Sequence, residues 1–201
     1  MIVIIDYGVG NLRSVYNSLT RLGYPVSVSD KIEDINNSCG IILPGVGAFK
    51  DAMDNLEKRG LIDCIKHNAF EGKPILGICL GMQLLYENSY EDGIWKGLGI
   101  LKGDIVRFQN NLKVPHMGWN KLHKGVTDDI GKQIGEDEYV YFVHSYYLKS
   151  QNRQEVVFWT NYGVEVPAVI RQKNIIGMQF HPEKSGNTGM KLLRNFGEMI
   201  S

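Results

Sequence analysis

Cysteine is scarce in this chain: Cys39, Cys64 and Cys79 are the only three among 201 residues. An odd count, wide spacing and no CxxC pair fit neither a disulfide framework nor a zinc site, and the chain is expected to hold no metal and no cofactor. Net charge is missing too, with 22 Lys plus Arg against 22 Asp plus Glu. Without surplus positive charge nothing displaces counterions from phosphates, which excludes a dedicated nucleic-acid binder. The same neutrality leaves little self-repulsion, so a stable protein partner is expected. The apolar run Met1 to Ile5 lacks a basic leader and is far too short for a signal peptide or a membrane span, which predicts a cytoplasmic protein with no membrane partner. Linkers rich in Pro, Gly or Ser, repeats and low-complexity tracts are absent. Residues 1–201 are therefore expected to form one domain around one large core.

What is present is an ordinary globular balance, 43% hydrophobic and 22% charged. Continuous apolar runs at Met1–Ile5, Pro25–Val28, Ile41–Leu43 and Pro74–Cys79 read as buried parallel strands. Between them, Asn11–Leu22 and Asp51–His67 carry helical spacing, the latter interrupted near Gly60, and Leu80–Glu87 reads as a further helix. Strands alternating with helices predict a three-layer α/β fold, a mostly parallel sheet with helices on both faces. The second half adds strand-like segments at Gly103–Phe108, Tyr139–Val143, Glu155–Trp159, Val164–Arg171 and Asn174–Phe180. A last helix, Asn187–Ile200, is expected to turn Met190, Leu193 and Phe196 inward.

Gly77-Ile78-Cys79-Leu80-Gly81 follows an apolar strand and opens a helix. That is the glycine-x-nucleophile-x-glycine arrangement of a strand-to-helix elbow, with Cys as the nucleophile. The flanking glycines remove clashes at a sharp turn, and the helix start favours the thiolate. A small buried core Cys is the ordinary alternative, and it is the reading adopted for Cys39 and Cys64.

Of five histidines, His67 and His123 sit among polar neighbours and read as surface residues, while His116 and His144 lie in hydrophobic surroundings. His181 follows an apolar strand, precedes Pro182, and has Glu183 two residues on. Proline holds the preceding residue extended, and in an extended segment residues i and i+2 point the same way. Glu183 would then orient the imidazole of His181, which serves Cys79 as base. For an oxyanion hole, the amide of Leu80 is one donor and the loop Pro44-Gly45-Val46-Gly47, at the carboxyl edge of a neighbouring strand, supplies the other. Gly8-Val9-Gly10 is no dinucleotide site, because Arg13 stands where the third glycine should be.

With the elbow through Met82-Gln83, Pro44-Gly45-Val46-Gly47 and Phe180-His181-Pro182-Glu183 in view, the chain resembles the class I, triad-type glutamine amidotransferases, with their flavodoxin-like fold and extra antiparallel strands in the second half. Further stretches, Ile5–Leu12, Val114–Asn120, Tyr141–Tyr146 and His181–Ser185, extend the likeness across essentially the whole chain. Pro115–Asn120 and His181–Ser185 resemble in particular the glutaminase subunits of histidine biosynthesis. The resemblance implies a triad of Cys79, His181 and Glu183, with oxyanion amides from Val46 and Leu80. It implies glutamine contacts near Gly45, Gly47, Gln83, Glu91, His144, Ser145 and Tyr146. It also implies that Asn11, Met117, Trp119, Asn120 and Lys184 face a partner, a (β/α)₈ cyclase barrel, in a heterodimer. Tyr90 departs from the pattern, which leads one to expect a second acid beside Glu91. The apolar, Gly-containing loop bearing Met117 and Trp119 suits a docking surface as well as it suits a core Trp.

The implied activity is hydrolysis of glutamine, with ammonia passed to the cyclase that converts PRFAR to imidazole glycerol phosphate and aminoimidazole carboxamide ribotide. Three rivals stand beside it: the same glutaminase serving another synthase, as in sugar amidination; a free-standing γ-glutamyl thiol hydrolase; and a non-catalytic flavodoxin-like binding module.

Overall fold

The structure, a computed structural model, describes residues 1–108, 112–150 and 152–200. Its first part alternates as the apolar runs require: β1 (Ile2–Ile5), α1 (Leu12–Arg21), β2 (Val26–Ser29), α2 (Ile32–Asn36), β3 (Gly40–Leu43), α3 (Phe49–Lys58), α4 (Leu61–Phe70), β4 (Ile75–Ile78) and α5 (Leu80–Leu84). The remainder is strand-rich: β5 (Asn88–Ser89), β6 (Trp95–Lys96), β7 (Asp104–Arg107), β8 (His116–Lys121), β9 (His123–Lys124), β10 (Tyr139–His144), β11 (Tyr146–Lys149), β12 (Val156–Asn161), β13 (Glu165–Gln172), β14 (Ile175–Met178) and α6 (Gly186–Glu198).

An eight-stranded sheet runs in the order β2-β1-β3-β4-β14-β13-β12-β9. The first five strands are parallel, and the last three join antiparallel. Alternation along β1 divides the interior. Ile2 and Ile4 meet Val15 and Leu19 of α1 and Leu192, Leu193 and Phe196 of α6. Val3 and Ile5 turn to the other face, with Ala52 and Leu56 of α3 and Leu61 and Ile65 of α4. Full burial of each such aliphatic side chain contributes about 1.5–3 kcal/mol, so both layers are firmly held. A four-stranded sheet, β11-β7-β5-β6, and a two-stranded antiparallel ribbon, β10-β8, flank this frame.

Several expectations are corrected. The helix after the elbow stops at Leu84 instead of reaching Glu87. Residues 98–101 wrap its end, with amides of Leu98, Gly99 and Ile100 taking the carbonyls of Leu84, Tyr86 and Leu85. In α6 it is Leu192 that joins Leu193 and Phe196 in the core, and Met190 stays half-buried beside a surface groove. Cys39 is exposed, because it precedes β3 at the open end of the strand, and its sulfur meets the N-terminal amine at 3.0 Å. Cys64 is buried as expected. The stretch carrying Met117 and Trp119 is no loop: it forms β8 because β10 pairs with all six of its residues. The break at Gly60 is real, with a left-handed φ of 67° between α3 and α4. Among the described residues no helix is long and apolar enough to cross a membrane.

Candidate active site

Strands β3, β4 and β14 are adjacent and parallel, so the loops after them meet at one edge of the sheet. Cys79 follows β4 with φ 54° and ψ −111°, a left-handed strain that a β-carbon makes costly. The turn is accommodated because glycines stand two residues to either side of it. A β-carbon on Gly77 would lie 2.7 Å from the backbone of Met82, and one on Gly81 would collide with the carbonyl of Leu43. The glycines thus do the clearing that their spacing predicts.

His181 Nδ1 lies 2.9 Å from Glu183 Oε1, and both side chains are buried. His181 is extended, but Pro182–Lys184 then form a 3₁₀ turn, so the contact closes across a turn and not along an extended strand. With Nδ1 on the carboxylate, Nε2 is left for the sulfur. Burial pulls the His181 pKa down, but its hydrogen bonds to Cys79 and Glu183, together with the charges of those groups, outweigh it and raise the ring to about 9. An imidazolium at neutral pH beside the sulfur is ready to give up a proton. Helix α5 is too short to carry the dipole expected of a longer helix, so the charge next to the sulfur comes from His181. Glu183 Oε1 also accepts from Asn11 Nδ2 at 3.1 Å, which ties the start of α1 to this carboxylate.

A cavity of about 330 Å³ opens over the sulfur, and Val46, Gly47, Leu80, Gln83, Glu91, His144, Ser145, Tyr146 and His181 all line it. Gly45 does not. A β-carbon there would strike Gly81 N at 2.6 Å and Leu80 Cβ at 2.9 Å, so the absence of a side chain at Gly45 lets the loop pack on the elbow. Glu91 Oε2 accepts the first amide of α3, Phe49 N, at 2.6 Å, and burial raises its pKa despite that bond. Gln83 is buried and spends its amide on Tyr146 O at 2.9 Å and Gln179 Oε1 at 3.0 Å. Tyr90 is exposed and does not line the cavity.

Met117 and Trp119 are 62% and 58% exposed, far too open for core residues. Trp119 lies against Tyr141 and near Gly186, which places it beside the segment of exposed Lys184. Asn120 is half-buried on the same strand. His67 is exposed as expected, whereas His123 is half-buried and stacked on Trp159 at 4.4 Å.

Sequence reasoning missed three neighbours of the site. Gln179 Nε2 stands 4.0 Å from the sulfur, His116 Nδ1 lies 3.0 Å from His144 Nε2, and the Tyr7 hydroxyl donates to Pro44 O at 2.6 Å. A signal existed for Gln179, a polar residue in an apolar strand and two before His181.

A family model described as glutamine amidotransferase class-I matches residues 3–199. The chain is 51% identical to the imidazole glycerol phosphate synthase subunit HisH of Desulfitobacterium hafniense, covering 100% of this chain and 95% of that one. It is 49% identical to the subunit of the same name from Oceanobacillus iheyensis, with 100% of both covered. In fold it is similar to a crystal structure of a glutamine amidotransferase, at TM-score 0.79 and 21% identity over 100% and 99% of the two chains. It is also similar to a chain in the structure of PurLQS from Thermotoga maritima, at 0.77 and 22% over 100% and 98%. A match that starts in the first strand and runs through the last helix spans nearly the whole fold: this chain belongs to the class I glutamine amidotransferase family.

Proposed function

We propose that this chain is the glutaminase subunit of an imidazole glycerol phosphate synthase and hydrolyses glutamine on Cys79. The observation that carries the reading is the Cys79–His181–Glu183 arrangement at the floor of a cavity, with the imidazole held between sulfur and carboxylate. The sulfur attacks the side-chain carboxamide carbon of glutamine, and the amides of Leu80 and Val46 take the charge that develops on its oxygen. Breaking the C–N bond requires a proton on nitrogen, and His181, charged at neutral pH, supplies it as ammonia leaves. The neutral imidazole then draws a proton from water, which attacks the γ-glutamyl thioester, releases glutamate and restores the thiolate. Glu183 holds the ring in the tautomer both steps need. Glu91, Ser145 and Tyr146 are positioned to hold the amino-acid end of the substrate.

The released ammonia goes to a (β/α)₈ cyclase partner, seated over Met117, Trp119, Asn120, Lys184 and the Asn11 end of α1, and the heterodimer works in the cytoplasm. Two observations support this reading. The relatives at about half identity are named as subunits of that synthase, and the exposed apolar face lies beside the triad. With the cyclase present, Cys79→Ala should lose glutamine-dependent turnover by roughly 10⁴-fold or more while synthesis from added ammonia persists. Ammonia release is measured with and without the cyclase. Glutaminase activity surviving in Cys79→Ala rejects the nucleophile, and full activity without any partner favours a free-standing hydrolase instead.

A further inference from the structure

His116 and Gln179 are buried polar side chains that the chemistry above does not use. Accounting for every hydrogen joins them. Tyr146 O can only accept, and it takes His144 Nδ1 at 2.8 Å and Gln83 Nε2 at 2.9 Å. His144 therefore carries its proton on Nδ1. Burial pushes this ring down to about 3, so it is neutral and Nε2 offers a lone pair. His116 Nδ1, 3.0 Å away, must then be the donor. Burial likewise pushes His116 to about 4, which leaves its own lone pair on Nε2, where Asn120 Nδ2 stands at 3.3 Å. The Asn120 amide cannot flip: Nδ2 also donates to Asn161 O at 3.0 Å, and Oδ1 accepts from Lys121 N at 2.8 Å. The Tyr146 carbonyl at one end and the Asn120 amide at the other thus agree on the tautomers of two buried rings. Beyond Tyr146 O, the second Gln83 proton goes to Gln179 Oε1 at 3.0 Å, and that leaves Gln179 Nε2 to face the Cys79 sulfur at 4.0 Å.

The outer end of this chain is built into the exposed ribbon. Along β8 side chains alternate, so Met117 and Trp119 look outward while His116 and Asn120 look inward. A displacement of that strand moves both sets together.

We propose that His116 is a positioning residue and Gln179 a hydrogen-bond donor to the reacting sulfur, the two linked by one buried chain, Asn120–His116–His144–Tyr146–Gln83–Gln179, that ties the exposed face of β8 to Cys79. The inference rests on Cys79 being the nucleophile of glutamine hydrolysis. Its test is chosen to work even where that reading fails.

His116 stacks on Phe142 at 4.7 Å and on Tyr162 at 3.9 Å, so hydrogen bonding must be separated from packing. His116→Phe keeps the stacked ring without a donor. His116→Asn keeps a donor near Nδ1 and gives up the ring. The first readout is the rate at which iodoacetamide alkylates Cys79 in the full chain, followed by peptide mass spectrometry so that Cys39 and Cys64 are counted apart. H116F and Gln179→Met should each slow Cys79 by about tenfold, with the double variant within about twofold of either single one, because members of one chain do not add. H116N should stay within about threefold of the parent, a rescue that a packing role would reverse. The second readout is glutamine turnover with the cyclase, where kcat falls in H116F and KM holds. Parental alkylation in H116F, a rate in H116N as low as in H116F, or additive losses would each overturn the proposal. Should H116F not fold, Asn120→Ala, at a half-buried site, must still slow Cys79, and a parental rate there overturns it too. A parent chain that never releases ammonia from glutamine would sink the proposed activity alone, since the alkylation rates stand without it.

Discussion

His181 and His144 are both buried and both line one cavity, yet their surroundings drive them in opposite directions. Burial lowers each ring. At His181 the sulfur of Cys79 and the carboxylate of Glu183 reverse that effect, and the ring rises to about 9. At His144 the bond to Tyr146 O resists burial weakly, the neighbouring imidazoles His116 and His181 add to it, and the ring falls to about 3. Depth does not decide which histidine carries charge. The decision lies in what each ring nitrogen faces, so one ring handles protons and the other is a fixed strut.

The contrast breaks most sharply at Glu183. Glu183→Gln removes the anion behind His181, so kcat for glutamine should fall by roughly 10³–10⁴-fold. NMR titration should show the His181 ring moving down while His144 stays neutral, and an unmoved His181 would refute the assigned cause. A middle-sized effect belongs to the strut. His144→Ala leaves Tyr146 O and His116 Nδ1 short of a partner, at about 2 kcal/mol for the unpaired groups. For a chain of this length that lowers Tm by roughly 4–8 °C, read by circular dichroism, with the His181 titration unchanged.

The two rings also give the pH dependence of stability opposite signs. His181 binds its proton more tightly folded than unfolded, so its contribution is complete below pH 6.5 and is lost as pH rises through about 9. His144 and His116, pushed to about 3 and about 4, take up protons only when the chain unfolds, so stability is lost as pH falls from 6.5 towards those values. Urea unfolding across this range should show both limbs. In Cys79→Ala, which removes a contact that raises His181, the alkaline limb should shrink and the acid limb remain.

Much of this was legible in the sequence, for identifiable reasons. Four-residue apolar runs buried on both faces mark β1, β3 and β4, and an elbow needs glycines at fixed offsets, so Gly77 and Gly81 announce Cys79 locally. His181 and Glu183 are likewise two residues apart. What stayed hidden depends on distant partners. β5, β6 and β9 are two-residue strands with no period to read, and β8 reads as a loop until β10 pairs with it. The packing role of Gly45 stayed hidden because nothing local shows that Gly81 N lies against it. His116 and Gln179 meet the site only through pairings far apart in sequence, β8 with β10 and β14 with β4.

β14 enters the sheet between β4 and β13, in register with β4 so that Gly177 stands opposite Gly77 and Met178 opposite Ile78. The nucleophile is therefore synthesised long before the strand that delivers its base. A growing chain can shape the elbow and its flanking helices, but its thiol has no imidazole beside it until a late segment slots into the middle of the sheet. Reactivity arrives as one of the last acts of folding, and a truncated or misassembled chain carries an ordinary thiol in place of an armed one.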